Sequence, residues 1–308
     1  MHKSLNRAHT TRRKSDWQGL ARFVCVITGV LFTGSIAVSG PAIGQFEVKN
    51  LEATPGEIEF QSQNAHMSGN PKRKLRSVDG EFEYDDNSVA KQRHALELEF
   101  GITRQFKSRI GIEYEKERLD DPENPGEADD FNDLELSEIG AEIIWVLDPI
   151  EENDWGFGLV AEYEVPLEDE EASLLLVGPL FQLERDKWWS IINLYLVKHL
   201  GGERPRDEKI DFAYATQFGR VLNQDWQLAL EAYGTVDRIG DTGTASEEVE
   251  LFGDHNQHRL GPVFYYTGGF GGGASDDDSS VSIGVGLLVG VNDNTPDRTL
   301  KWSVEVEF

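Results

Sequence analysis

Beyond residue 56 the chain alternates apolar and polar residues with a period of two, over and over, in segments of about ten residues broken by turn-rich stretches. That period puts one set of side chains on each face of a β-strand. About twelve such segments can be read. They are 57–65, 93–103, 108–117, 134–146, 155–165, 172–185, 189–200, 209–221, 225–236, 258–268, 280–290 and 299–308. In 93–103, Leu96, Leu98 and Phe100 share one face and Glu97 and Glu99 the other. In 155–165, Phe157, Leu159, Ala161, Tyr163 and Val165 oppose Glu162 and Glu164. The closing segment, TLKWSVEVEF, sets Leu300, Trp302, Val304, Val306 and Phe308 against Lys301, Ser303, Glu305 and Glu307.

The links between segments alternate as well. RQFK, RDKW and LNQD are short, whereas 66–92, 118–133, 201–208 and 237–257 are long and polar. Ten-residue strands joined by short turns at one end and long loops at the other predict an all-β, antiparallel, up-and-down transmembrane barrel of about twelve strands. Its apolar face meets lipid and its polar face lines the lumen. One link, 268–280, is long where a short turn is expected. The phase flips around Ser137–Ile139, which predicts a bulge. Pro179 and Pro262 predict bulges or breaks in the ladder, because proline lacks the donor N–H. Segment 174–181 is apolar on both faces, so part of the lumen there is expected to be dry. Trp145, Trp155, Trp188, Trp189, Trp226 and Trp302 lie near strand ends, as interfacial aromatics do.

The first 44 residues break the pattern. Six basic residues and Asp16 precede the apolar run FVCVITGVLFTGSIAVSG, and PAIGQ follows. This is the layout of a secretory signal peptide. The organisation read is therefore 1–44 as a signal peptide, cleaved on export, and 45–308 as the barrel. The single cysteine, Cys25, lies in the apolar run, so the remainder has no thiol for disulfides, catalysis or metal. The 29 basic and 56 acidic residues of the whole become 23 and 55 once those 44 positions are set aside, a net charge of −32. Such a chain repels phosphate backbones, so nucleic acid is not an expected partner.

Chemistry is hard to find. His66, His94, His199, His255 and His258 are scattered; His255, His258 and Asp254 do not have the spacing of a common zinc motif. No serine–histidine pairing supports a barrel lipid hydrolase, the least favoured reading, so no catalytic residue, metal site, cofactor or enzymatic activity is expected. Asp276, Asp277 and Asp278, and the stretch 292–297, are read as hydrated turns that could meet divalent cations or lipopolysaccharide. The informative set is the inner face: Glu97, Glu99, Glu113, Glu115, Glu142, Glu162, Glu164, Asp211, Glu231, Glu305 and Glu307, offset only by Lys301, Arg109 and Arg259. A ring of carboxylates selects cations.

Two resemblances complete the reading. Trp302, Val304, Val306 and Phe308, on a final strand with a terminal aromatic, resemble the C-terminal signal that the barrel-assembly machinery of Gram-negative bacteria recognises. The stretch Phe131-Asn132-Asp133-Leu134-Glu135-Leu136, leading to Gly140, resembles the Gly-Asp-Leu stretch of the outer-membrane barrels named after the MetA pathway of phenol degradation, with Asn132 in place of the glycine. That resemblance implies an outer-membrane protein, surrounded by lipid and lipopolysaccharide, that passes small compounds, aromatic ones included. The expected function is small-molecule passage with a cation bias; the alternative is a structural or surface-interaction barrel without transport.

Overall fold

The computed structural model describes residues 46–69, 76–78, 81–83, 87–120, 131–150, 154–167, 172–200, 210–236, 257–269, 279–293 and 295–308. The strands in chain order are β1 (Ile58–Ser68), β2 (Arg76–Val78), β3 (Glu81–Glu83), β4 (Asn87–Thr103), β5 (Phe106–Asp120), β6 (Glu135–Asp148) and β7 (Trp155–Pro166). They continue with β8 (Ser173–Arg185), β9 (Trp188–Leu200), β10 (Ile210–Val221), β11 (Trp226–Val236), β12 (His258–Gly269), β13 (Ser280–Gly290) and β14 (Arg298–Glu307). Among the described residues β2 and β3 pair only with each other, and the other twelve strands form one closed barrel, every neighbour antiparallel. Closure runs from β14 to β1, with Glu59 opposite Glu307 and Ser68 opposite Arg298. The closing strand sits between β13 and β1, and the backbone N–H of Phe308 donates to the Ile58 carbonyl at 3.0 Å.

The alternation sorts the side chains as the pattern predicts. Ile143, Trp145, Leu159, Tyr163, Leu230, Phe264, Val285 and Leu287 stand on the exposed outer wall. Glu142, Val160, Glu162, Glu231 and Lys301 are buried toward the lumen. In water this wall would be untenable, because large apolar side chains cover it without a partner. Around the short-turn end the outer aromatics pair up: Phe106 stacks on Trp145 at 5.8 Å, Trp188 on Phe218 at 5.2 Å, and Trp226 leans on Tyr266 at 5.1 Å. Two tryptophans differ from expectation. Trp189 points into the lumen and donates to Gln217 at 2.8 Å, and Trp302 lies mid-strand, edge-on to His94.

The irregularities fall where the residues demand them. Glu113 faces Glu138 and Tyr114 faces Leu136, so Ser137 is the bulged residue; its Oγ donates to the Glu113 carbonyl at 3.1 Å. At Pro179 and Pro262 the ladders to β9 and β13 skip two positions on each strand and resume in the same register. These are breaks without a bulge, because only the proline donor is missing. Gly178 shares the first break with Pro179, and a Cβ there would collide with the Leu194 carbonyl. The β12–β13 link remains long, from Gly269 to Ser280, on the short-turn side.

Candidate functional site

The site is the lumen, and its main occupant comes from the chain itself. Residues 46–57 form no strand, and 46–53 run inside the barrel. The segment enters at the short-turn rim, where the N–H of Gly56 donates to the Gly101 carbonyl at 2.7 Å. It rises past Gln182, whose Oε1 accepts from the Leu51 N–H at 2.8 Å. At mid-barrel Asn193 clamps Lys49 twice: the Lys49 N–H donates to Oδ1 at 2.7 Å and Nδ2 donates to the Lys49 carbonyl at 2.9 Å. Higher up, the Tyr233 hydroxyl donates to the Phe46 carbonyl at 2.8 Å. The side-chain amides of Asn193 and Gln182 thus do for this strap what a neighbouring strand would do in a sheet. Phe46 and Leu51 are 2% exposed, inside an apolar lining that includes Leu174, Leu176, Val197, Ala213 and Ala215. The double-sided apolar character of 174–181 therefore has a use: Leu174, Leu176 and Leu180 face inward.

The charged side of the lumen is paired. Lys49 of the strap reaches Glu142 and Glu162, the latter at 3.2 Å. Arg109 meets Glu99 at 2.8 Å, Glu97 at 3.3 Å and Glu47 of the strap. Lys107 holds Glu99 at 2.9 Å and donates to Asn50 Oδ1 at 2.8 Å. Toward the long-loop end Lys91 binds Glu115 at 2.5 Å and Glu117 at 3.1 Å, and Arg93 binds Glu113 and Glu115. Lys301 holds Glu231 at 2.7 Å and Tyr233 at 2.8 Å. Burial works against a charge on Glu47, but Arg109, Lys49 and Lys107 outweigh it and hold its carboxyl well below the usual carboxylate range.

The lumen holds more cations than the alternation alone indicates. Lys301, Arg109 and Arg259 are not alone; Lys49, Lys91, Arg93 and Lys107 join them. Lys91 and Arg93 share the inward parity of Glu97; β4 starts at Asn87 rather than at 93, which hid Lys91, whereas Arg93 opens the segment read from the sequence and was not counted. Lys49 lies in the strap, which has no periodicity to betray it. Arg259, in turn, meets Thr299 at 3.2 Å, Gln257 and the Phe46 ring at 4.7 Å, and no carboxylate among the described residues. The bulge also brings Glu138 inward.

Each carboxylate named from the sequence has the inward parity, and they divide into groups. Glu97, Glu99, Glu113, Glu115, Glu142, Glu162 and Glu231 are buried and ion-paired. Asp211 meets His199 at 3.0 Å near the long-loop end. Glu307 accepts from Ser280 Oγ at 3.1 Å at the rim. Glu164 and Glu305 form no ion pair among the described residues. Asp254, His255 and 276–278 lie outside the described residues, and no group of three or more metal-ligating side chains converges among the described ones. Asn132 folds back on β5: its N–H donates to the Glu117 carbonyl at 2.9 Å and its Oδ1 accepts from the Glu117 N–H at 2.6 Å.

Below the strap a cavity of about 390 Å³ lies toward the short-turn end, lined by Asn50, Gln61, Gln63, Trp189, Gln217 and Glu305 among others.

No protein-family model matches the chain, and no curated protein sequence does. Among solved structures the chain is similar to an outer membrane channel from Pseudomonas putida F1 (TM-score 0.49, 11% identity, covering 85% of this chain and 99% of that one). It is also similar to the KdgM porin (TM-score 0.42, 7% identity, 82% and 98%) and to the CymD monoaromatic hydrocarbon channel (TM-score 0.40, 8% identity, 83% and 88%). At such scores and identities these are likenesses of barrel form.

Proposed function

We propose that the chain is an outer-membrane barrel, exported by the signal-like segment 1–44, that passes small solutes with a preference for cations, and that residues 46–53 set whether it is open. The observation that carries this reading is the strap. It is held by side chains rather than by a strand ladder, in a barrel whose outer wall suits lipid and whose inner wall is polar. In an outer-membrane barrel the short turns face the periplasm, which puts the 390 Å³ cavity on that side. The apolar lining around Phe46 supports the aromatic solutes that the resemblance of 131–136 implies.

The test is single-channel conductance in a planar bilayer, with the reversal potential read under a KCl gradient. A variant lacking 46–53 is expected to conduct more than the full chain, with a cation-selective reversal. Changing Glu164, Glu305 and Glu307 to Gln should move that reversal toward zero. The rival reading is a structural barrel that passes nothing. Silence of the strapless variant in a folded, heat-modifiable barrel would decide for it.

A further inference from the structure

The periplasmic-side cavity is rich in acceptors, with Gln61, Gln63, Glu52, Glu184 and Glu305 in its lining. Along the inner face of β1, Gln61 Nε2 donates to Glu59 Oε1 at 2.7 Å, and Gln63 Nε2 donates to Gln61 Oε1 at 3.3 Å. The carboxylate accepts only, so it fixes the Gln61 amide, and Gln61 fixes Gln63. The ladder ends on the Gln63 carbonyl oxygen, which has no hydrogen-bond partner although Gln63 is 3% exposed. Three further donors of the lining are turned onto other acceptors. Trp189 gives its N–H to Gln217, Gln217 gives to Glu231 at 2.7 Å, and Gln182 gives to Glu184 at 2.7 Å.

The neighbouring cations are used as well. Lys301 is on Glu231, and Lys107 and Arg109 are on Glu99. Glu305, two positions from Ser303, which faces Gln63 across the ladder, is left without an ion pair among the described residues. Lys187, the other cation of the lining, sits on the exposed turn at the mouth. A buried acceptor without a donor is costly, and Glu305, with the Gln63 side chain as a hydrogen-bond neighbour and Lys301 and Arg109 acting only from a distance, has no cation in direct contact among the described residues. Both are relieved by one kind of guest, a small molecule that brings several N–H donors and positive charge. A volume of about 390 Å³ suits a molecule of a few carbons.

We propose that this cavity is a binding site for small organic cations, primary ammonium or guanidinium compounds, with the Gln63 carbonyl oxygen and the Glu305 carboxylate as the two central acceptors. This deepens the passage reading by naming a solute class, and it rests on that reading only for the solute's onward movement.

The test is equilibrium binding to the refolded full chain in detergent at physiological salt, by calorimetry, with 1,4-diaminobutane as probe and 1,4-butanediol as its uncharged counterpart. Saturable binding of the diamine is expected, with no competition from the diol. Glu305→Gln and Gln63→Met, which keep side-chain size, should each weaken it about ten-fold, in barrels shown to be folded by heat-modifiable migration. Equal binding of the diol, absence of saturable diamine binding, or unchanged affinity in Glu305→Gln would overturn the proposal. Conductance without diamine binding would leave passage standing and remove this site; diamine binding without conductance would do the reverse.

Discussion

Replacing Lys49 by Met probes what holds the lumen shut. Ordering the eight residues 46–53 costs about 8–16 kcal/mol of chain entropy. Burying Phe46 and Leu51 returns about 3–6 kcal/mol, and four hydrogen bonds to the strap backbone return about 2–6 kcal/mol. The two sides differ by a few kcal/mol, so the ion pairs of Lys49 and Glu47 decide the balance. In the docked state Glu142 and Glu162 lie directly opposite each other across β6 and β7, with the Lys49 ammonium against both. Without it, two buried carboxylates face each other with only Arg109, 3.8 Å from Glu142, to offset them, and losing the partner of a buried ion pair costs about 3–5 kcal/mol. With the strap out, water reaches them and the penalty vanishes.

The mutation therefore acts on the closed state alone. A shift of about 3 kcal/mol is roughly a hundred-fold in the closed-to-open ratio. The assay is open probability in planar bilayers, paired with protease exposure of residues 46–53 read by mass spectrometry. Lys49→Arg, which keeps the charge, should resemble the unaltered chain. If Lys49→Met leaves both conductance and protection unchanged, packing holds the strap and the electrostatic account is wrong.

Three other perturbations address separate parts of the molecule. Asn193→Leu removes both bonds to the Lys49 backbone and should release the strap by about 2–3 kcal/mol, seen as raised conductance with the barrel's urea midpoint nearly unchanged. Leu230→Arg puts a charge on the outer wall, where Leu230 is 50% exposed; folding into vesicles should lose about 2–4 kcal/mol by denaturant titration, and no loss would argue that this wall does not face lipid. Phe308→Ala should lower outer-membrane yield in cells while leaving refolding in detergent intact, because Phe308 is 60% exposed; equal yield would remove it from any assembly signal.

The barrel was legible because period-2 alternation is a local property, repeated along the chain, and each strand carries its own copy. The bulge at Ser137 and the ladder breaks at Pro179 and Pro262 were legible for the same reason, since a phase flip or a missing donor is visible in one strand. The inward parity of the carboxylates followed from alternation too. Of their partners only Arg109 and Lys301 followed. Lys49 meets Glu142 across 93 positions of sequence, through a segment without alternation, capping signal or charge run. The clamp of Asn193 on Lys49 is equally silent, because an asparagine on an inner face looks like any polar lumen residue. What the sequence hides is what enters the barrel from elsewhere in the chain.

Strap and wall are best understood as one electrostatic unit. Like charges directly opposite in a sheet are destabilising, and Glu142 opposite Glu162 is such a pair. The strap's Lys49 makes that pair tolerable in a closed lumen, and hydration makes it tolerable in an open one. Any mobile cation that enters the lumen competes with Lys49 for the same carboxylates. Raising KCl from about 0.1 to 1 M shortens the screening length from about 10 to 3 Å, weakening the hold on Lys49 while supplying its competitor. Open probability at fixed voltage should therefore rise with salt, and the rise should disappear in Lys49→Met. A lumen closed mainly by Phe46 and Leu51 would respond differently, because screening does not touch apolar burial. A flat salt response in the unaltered chain would assign the closure to those two side chains instead of to the ion pairs.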